Sequence, residues 1–153
     1  EVLEAEWRRA RRTQAPLALA IADVDHFKAY NDACGHQAGD ACLQAVAATL
    51  STVAHRAGDL VARYGGEEFA IILPGLDAEQ AQAFAEAMRR AVELRALPHP
   101  TSPVAAVVTA SLGVASIIAS RGDTPATLVH ETDLALYRAK SKGRNRVESA
   151  GVD

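Results

Sequence analysis

Cysteine is scarce in this sequence: Cys34 and Cys42 are the only two. A lone pair without metal-ligand spacing excludes a thiolate zinc site and a disulfide scaffold. Both read as free, small helix residues of a reducing compartment. No apolar run approaches the length of a membrane span and no secretory leader is recognisable. A cytoplasmic setting is therefore the expectation, including the cytoplasmic part of a membrane-bound sensor. Positive charge is also thin. The net charge is −3 and only three residues are lysine, so the chain exerts no general attraction on polyanions and no nucleic-acid partner is expected. A bound triphosphate would have to be met by local charge, a metal with a few lysines and arginines. The one basic cluster, Arg8, Arg9, Arg11 and Arg12, has Glu4 at ion-pair spacing from Arg8 and reads as a solvated helix face. Internal repeats and low-complexity tracts are absent.

What is present is an ordinary globular composition, 49% hydrophobic and 23% charged over 153 residues. That length suits one domain burying roughly 70% of its unfolded surface. Residues 2 to 12 carry Leu3 and Trp7 at helical spacing. Leu17 to Ala22 is apolar on both faces and predicts a central buried strand. A short helix is expected from Asp25 to Ala33, then a longer one from His36 to His55 striped by Leu43, Val46, Ala47, Leu50 and Val53. A hairpin over 60–73 follows, then Pro74-Gly75. Asp77 would cap a helix running to Arg95, with Ala81, Phe84, Ala85, Met88 and Val92 inward. Ala105 to Ala115 reads as a strand, with Gly113 as a bulge. Thr124-Pro125 starts a last helix that Gly143 stops, and Asn145 to Glu148 form a short strand. The pattern gives an α/β fold with a central buried strand.

The hairpin tip is Gly65-Gly66-Glu67-Glu68-Phe69. Glycines let a backbone approach a ligand closely, and adjacent carboxylates are costly to crowd unless a cation is near. Such a tip suits a nucleotide phosphate neutralised by a divalent metal. Asp23, at the end of the buried strand, could join it, since strand ends and hairpin tips can converge at one sheet edge. Asp23 or Asp25 could equally start the next helix as an N-cap, and the residues alone leave both readings open. Lys28 lies three residues beyond Asp25, expected on the same helix face. Lys140 and Arg144 stand at i, i+4, expected one helical turn apart. Asp40 could accept from the N1–H and N2–H edge of guanine, which adenine lacks, with Asn31 beside it. His36 could line the same pocket or cap its helix.

Together these blocks resemble the GGDEF domains, the diguanylate cyclases, in the GGEEF spelling. The resemblance runs from the N-terminal helix to Arg146. It includes Asp23-Val24-Asp25-His26-Phe27-Lys28, Asn31-Asp32, Gly35-His36, Gly39-Asp40 and Tyr137-Arg138-Ala139-Lys140 before Gly143-Arg144-Asn145-Arg146. It implies a mixed central β-sheet flanked by helices, related to nucleotide cyclases and to polymerase palm domains. It also implies condensation of two GTP into cyclic di-GMP in a homodimer with facing sites. Asp23, the Val24 carbonyl and Glu67 would hold Mg²⁺ or Mn²⁺; Glu67 would take the ribose proton, with Glu68 in support. Lys28 would steady the transition state, Lys140 and Arg144 the γ- and β-phosphates, and Asn31, His36 and Asp40 the base.

Arg56-Ala57-Gly58-Asp59 is an R-x-x-D, a pattern expected about once by chance in such a chain. It precedes the hairpin where many members of the family carry a product-inhibition site, and Arg56 and Asp59 would then bind cyclic di-GMP. The second arginine such sites recruit falls near Ala87, with Arg89 and Arg90 just beyond. The family's usual stretch before the first helix is missing. The expectation is therefore a domain over 1–153 excised from a longer protein with an upstream sensor, and helix 1–13 as the linker side. A catalytically inactive module binding GTP or cyclic di-GMP is the alternative. A cyclase of single nucleotides fits the pattern less well.

Overall fold

The computed structural model describes residues 1–151; the last two positions of the expected 1–153 domain lie outside the described residues. Ten elements follow one another: α1 (Val2–Thr13), β1 (Pro16–Val24), α2 (Phe27–Cys34), α3 (His36–Val53), β2 (Leu60–Gly65), β3 (Glu68–Pro74), α4 (Ala78–Leu94), β4 (Ala110–Ile118), α5 (Pro125–Ser141) and β5 (Val147–Ser149). The strands form one sheet in the order β2-β3-β1-β4-β5. The β1 pairings with β3 and β4 are antiparallel, and β4–β5 is parallel. The sheet is thus mixed, as expected.

β1 occupies the middle, and all of its residues after Pro16 are buried. Its alternate side chains feed two cores. Ala18, Ala20, Ala22 and Val24 face α3 and α4 through Val46, Leu50, Ala85 and Met88. Leu17, Leu19 and Ile21 face α1 and α5 through Trp7, Leu128 and Leu136. A strand covered on both faces must be apolar at every position, which is why its sequence is a continuous run. Small alanines on one face leave room for the helices to approach.

Local chemistry sets the helix starts. Asp77 accepts from the Gln80 amide at 2.8 Å while the Gln80 side chain accepts from the Asp77 amide at 3.0 Å, a capping box. Pro125 stands in the first turn of α5. α5 ends in a Schellman motif: the Gly143 amide donates to the Lys140 carbonyl and the Arg144 amide to the Ala139 carbonyl.

Several expectations are corrected. Neither Asp23 nor Asp25 caps α2; His26 precedes it with φ 51° and no side-chain cap. Lys28 therefore does not share a helix face with Asp25, which lies before the helix and is buried. Residues 105–109 are a loop with one bridge, Pro98 to Val107, and β4 runs later, to Ile118. Gly113 is no bulge. It pairs regularly with Ile21 and Glu148, and its bare Cα admits the α5 backbone, since a Cβ there would overlap Leu136 N and Thr132 O. Lys140 and Arg144 are not successive turns of one helix, because Gly143 has already ended it.

Candidate active site

The hairpin tip and the end of β1 meet at one sheet edge. Gly66, at φ 48°, makes the turn, and the Arg63 Nε donates to its carbonyl at 2.8 Å. The Val24 amide donates to the Glu67 carbonyl at 3.2 Å, which draws the turn against β1. Asp23 therefore lies opposite Glu68 in register. Lys140 reaches the pair from α5, its Nζ 2.8 Å from Asp23 Oδ2 and 4.0 Å from Glu68 Oε2. Burial, then the hydrogen bond and charge of Asp23, push the Glu68 carboxyl above the usual range; Lys140 offsets part of this. Two carboxylates thus crowd together under one ammonium. Glu67 is half-buried beside them, and Lys28 is exposed on the first turn of α2.

A second group sits where α2 turns into α3. Gly35, at φ 91°, makes the corner. Asn31 lies on the preceding helix, one turn before its end at Cys34, and His36 and Asp40 are exposed at the start of the next. Gly39 is buried beneath Asn31: a Cβ there would overlap Asn31 Oδ1. That oxygen is buried without a hydrogen-bond partner. A buried acceptor left unpaired is costly and calls for a donor. Phe27 and Tyr30 stack beside it at 6.1 Å.

Thr109 and Ser111, which the sequence does not mark as site residues, support this edge through Asp25, expected above only as a possible cap. Asp25 is buried and accepts from Thr109 Oγ1 at 2.8 Å, Ser111 Oγ at 2.6 Å and the Asn145 amide at 3.0 Å. It joins β1 to β4 and to the loop after α5. The alternation of Thr109 and Ser111 was the available signal, two hydroxyls at strand spacing in an otherwise apolar run. Arg144, the expected phosphate ligand, lies in that loop at φ 67°.

Arg56 and Asp59 form a separate unit before β2. The Arg56 guanidinium donates twice to the Asp59 carboxylate, at 3.1 and 2.7 Å, and once to the Pro74 carbonyl at 3.1 Å, and the Arg56 amide adds a third bond to Asp59 at 2.9 Å. Its guanidinium lies 5.3 Å from the centre of the Phe84 ring on α4. Ala87 is exposed on the same helix. Arg89 is held by Glu86 and Glu93, while Arg90 is exposed.

A mixed sheet with a Gly-Gly-Glu-Glu-Phe tip set against an acidic strand end defines a class, and comparison with known proteins agrees. The family model of the diguanylate cyclase GGDEF domain matches residues 1–146, and the chain belongs to that family. It is 40% identical over 151 residues to the diguanylate cyclase DgcP of Pseudomonas aeruginosa, covering 98% of this chain and 22% of that protein. It is 42% identical over 132 residues to the diguanylate cyclase VdcA of Vibrio cholerae, covering 86% and 38%. The chain thus spans well under half the length of these relatives. Among solved structures, the GGDEF domain of DgcB from Caulobacter crescentus in complex with c-di-GMP superposes with a TM-score of 0.87 at 36% identity, covering 98% of this chain and 86% of that one. The active GGEEF domain of a diguanylate cyclase from Vibrio cholerae gives 0.83 at 34%, covering 99% and 93%.

Proposed function

We propose that this chain is the catalytic domain of a diguanylate cyclase. The observation that carries the reading is the pairing of Asp23 with Glu68 at the hairpin tip under Lys140, in a chain with the family's fold and motifs. In the reaction the ribose O3′ of one GTP attacks the α-phosphorus of another. The O3′–P bond forms, the bond from the α-phosphorus to the pyrophosphate oxygen breaks, and the O3′ proton passes to a carboxylate. A second, reciprocal step closes the ring, so two GTP give cyclic di-GMP and two pyrophosphates.

The donor set fits a divalent cation. Lys140 Nζ sits as a positive charge between two carboxylates, and among the described residues no three His, Cys, Asp or Glu side chains form a metal cage. Mg²⁺ commonly takes one or two carboxylates and completes its octahedron with phosphate and water oxygens. Asp23, the Val24 carbonyl and Glu67 would hold it, and when bound it would lower the acidity barrier of O3′ and neutralise phosphate charge. Glu67 takes the O3′ proton, with Glu68 in support. Lys28 offers its ammonium to charge growing on the phosphate oxygens. Lys140 turns from Asp23 towards the γ-phosphate, and Arg144 meets the β-phosphate. Asn31 and Asp40 accept from the guanine edge, a role supported by the unpartnered Asn31 Oδ1, with His36 alongside.

The test is incubation with GTP and Mg²⁺ and chromatography of the nucleotides. Cyclic di-GMP and pyrophosphate should appear, and Glu67→Gln should abolish both while leaving the fold intact. Undiminished turnover in that variant would remove Glu67 from the chemistry.

A further inference from the structure

Arg144 occupies a backbone conformation that an arginine does not choose. It and Asn145 are consecutive left-handed residues, at φ 67° and 47°. Asn tolerates that region through its short polar side chain, whereas a long side chain pays a steric penalty there. Something must therefore hold the loop. Its carbonyl accepts from Arg146 Nε at 3.2 Å, a contact within the loop itself. Its amide donates to the Ala139 carbonyl at 3.0 Å, which ties it to the end of α5, and the side-chain restraints from other elements fall on the next residue.

Asn145 is gripped at three points. Its amide N–H donates to Asp25 Oδ2 at 3.0 Å. Its Oδ1 accepts from Arg89 Nη1 at 2.9 Å, and its Nδ2 donates to Glu93 Oε2 at 2.9 Å. Arg89 and Glu93 are themselves paired at 3.1 Å, and Arg89 also grips Glu86 at 2.6 Å. The amide thus sits in a fork whose two tines demand opposite ends of it, a donor facing Oδ1 and a carboxylate facing Nδ2. The Glu93 carboxyl is held below its usual range, first by the Asn145 amide and then, against a counteracting burial, by Arg89. Asp25 in turn is anchored by Thr109 and Ser111. β1, β4 and α4 therefore all converge on one loop residue.

We propose that Asn145, clamped by Asp25, Arg89 and Glu93, is a positioning residue that holds Arg144 in its left-handed conformation so that the guanidinium meets the triphosphate. The inference rests on the assignment of Arg144 as a phosphate ligand made above. Asn145 touches no nucleotide itself; it acts through the backbone of its neighbour. α4 thereby contributes to nucleotide binding although its residues lie outside every family motif named here.

Calorimetry with 3′-deoxy-GTP, which cannot react, and with GMP, which lacks the β- and γ-phosphates, tests this in the presence of Mg²⁺. Asn145→Gly preserves the left-handed backbone and the amide to Asp25 while removing the fork's substrate. Glu93→Ala removes one tine and leaves Asn145 in place. Each should weaken 3′-deoxy-GTP about tenfold, the scale of one charge-assisted contact, and leave GMP affinity unchanged. Disturbance of the fold in general would weaken both ligands alike. Combined with Arg144→Gln, Asn145→Gly should add nothing, because the two act on one contact. Additive losses, or unchanged 3′-deoxy-GTP affinity in both single variants, would overturn the proposal. If Arg144→Gln itself left 3′-deoxy-GTP affinity unchanged, the phosphate assignment beneath it would fall, and the positioning role with it.

Discussion

Glu68 carries an electrostatic signature at the candidate site itself. Its folded carboxyl titrates above the ordinary range, because of burial and of Asp23. A carboxyl whose folded pKa is raised favours the fold while protonated. In the metal-free protein that contribution is present below the unfolded pKa and is lost as pH rises through the folded one. Glu68→Gln should therefore melt above wild type at neutral pH, with the difference vanishing on acidification. Thermal melts in chelator across pH check this, and a constant difference would contradict it. Glu67→Gln, which removes a proposed metal ligand, should lose most of the stabilisation that wild type gains from added Mn²⁺. Asp40 makes a prediction about specificity. Asp40→Ser should lower the ratio of kcat/KM for GTP over ATP by about tenfold, since the donor edge of guanine loses its proposed acceptor. An unchanged ratio would mean that Asp40 does not read the base.

Gly113 shows what an element can demand of one residue. α5 lies so close to β4 that a side chain there has nowhere to go, the obstructing atoms being backbone. Gly113→Ala should cost about 1–3 kcal/mol or more, read from urea unfolding, and should also weaken triphosphate binding, because Lys140 stands one turn beyond Leu136. A Gly113→Ala protein as stable as wild type would mean that α5 can shift freely. Most elements were legible in the sequence: the apolar run of β1, the stripes of α3 and α4, and the Asp77 cap all depend on near neighbours. The errors share a cause. Residues 105–109 look like a strand because Val108 and Thr109 are buried, yet they are buried as loop residues, and β-propensity reports burial as much as conformation. Gly113 looked like a bulge because its true constraint, α5, is about twenty residues away in sequence. Asp25 read as a possible cap for the same reason, because its true partners Ser111 and Asn145 stand 86 and 120 residues from it.

On the scale of the whole molecule, one chain presents one hairpin tip and one proposed nucleotide site, while the proposed product needs two nucleotides. If two copies must face each other, specific activity should rise with protein concentration and rise further on fusion to a dimerising segment. Activity independent of concentration in a protein shown to be monomeric would contradict facing sites. The Arg56–Asp59 unit lies apart from the tip, its guanidinium held by Asp59, Pro74 and the Phe84 ring. Cyclic di-GMP bound there would act by holding domains in an unproductive arrangement. Arg56→Ala should relieve inhibition by added product with little change in initial rate, and calorimetry should show weaker binding of cyclic di-GMP. Equal affinity in the two proteins would make the R-x-x-D a chance match.

The span of the Asp23–Lys140 contact, 117 residues, has a consequence in time. A ribosome delivers the two carboxylates early and their cation late. Until α5 docks, Asp23 and Glu68 repel each other across a nascent sheet edge, and contacts of such sequence separation close slowly. A nascent chain ending before Lys140 would hold the hairpin and most of the sheet yet no balanced site. Catalytic competence should therefore appear at the end of folding, as the tail of the domain arrives to neutralise what its beginning laid down.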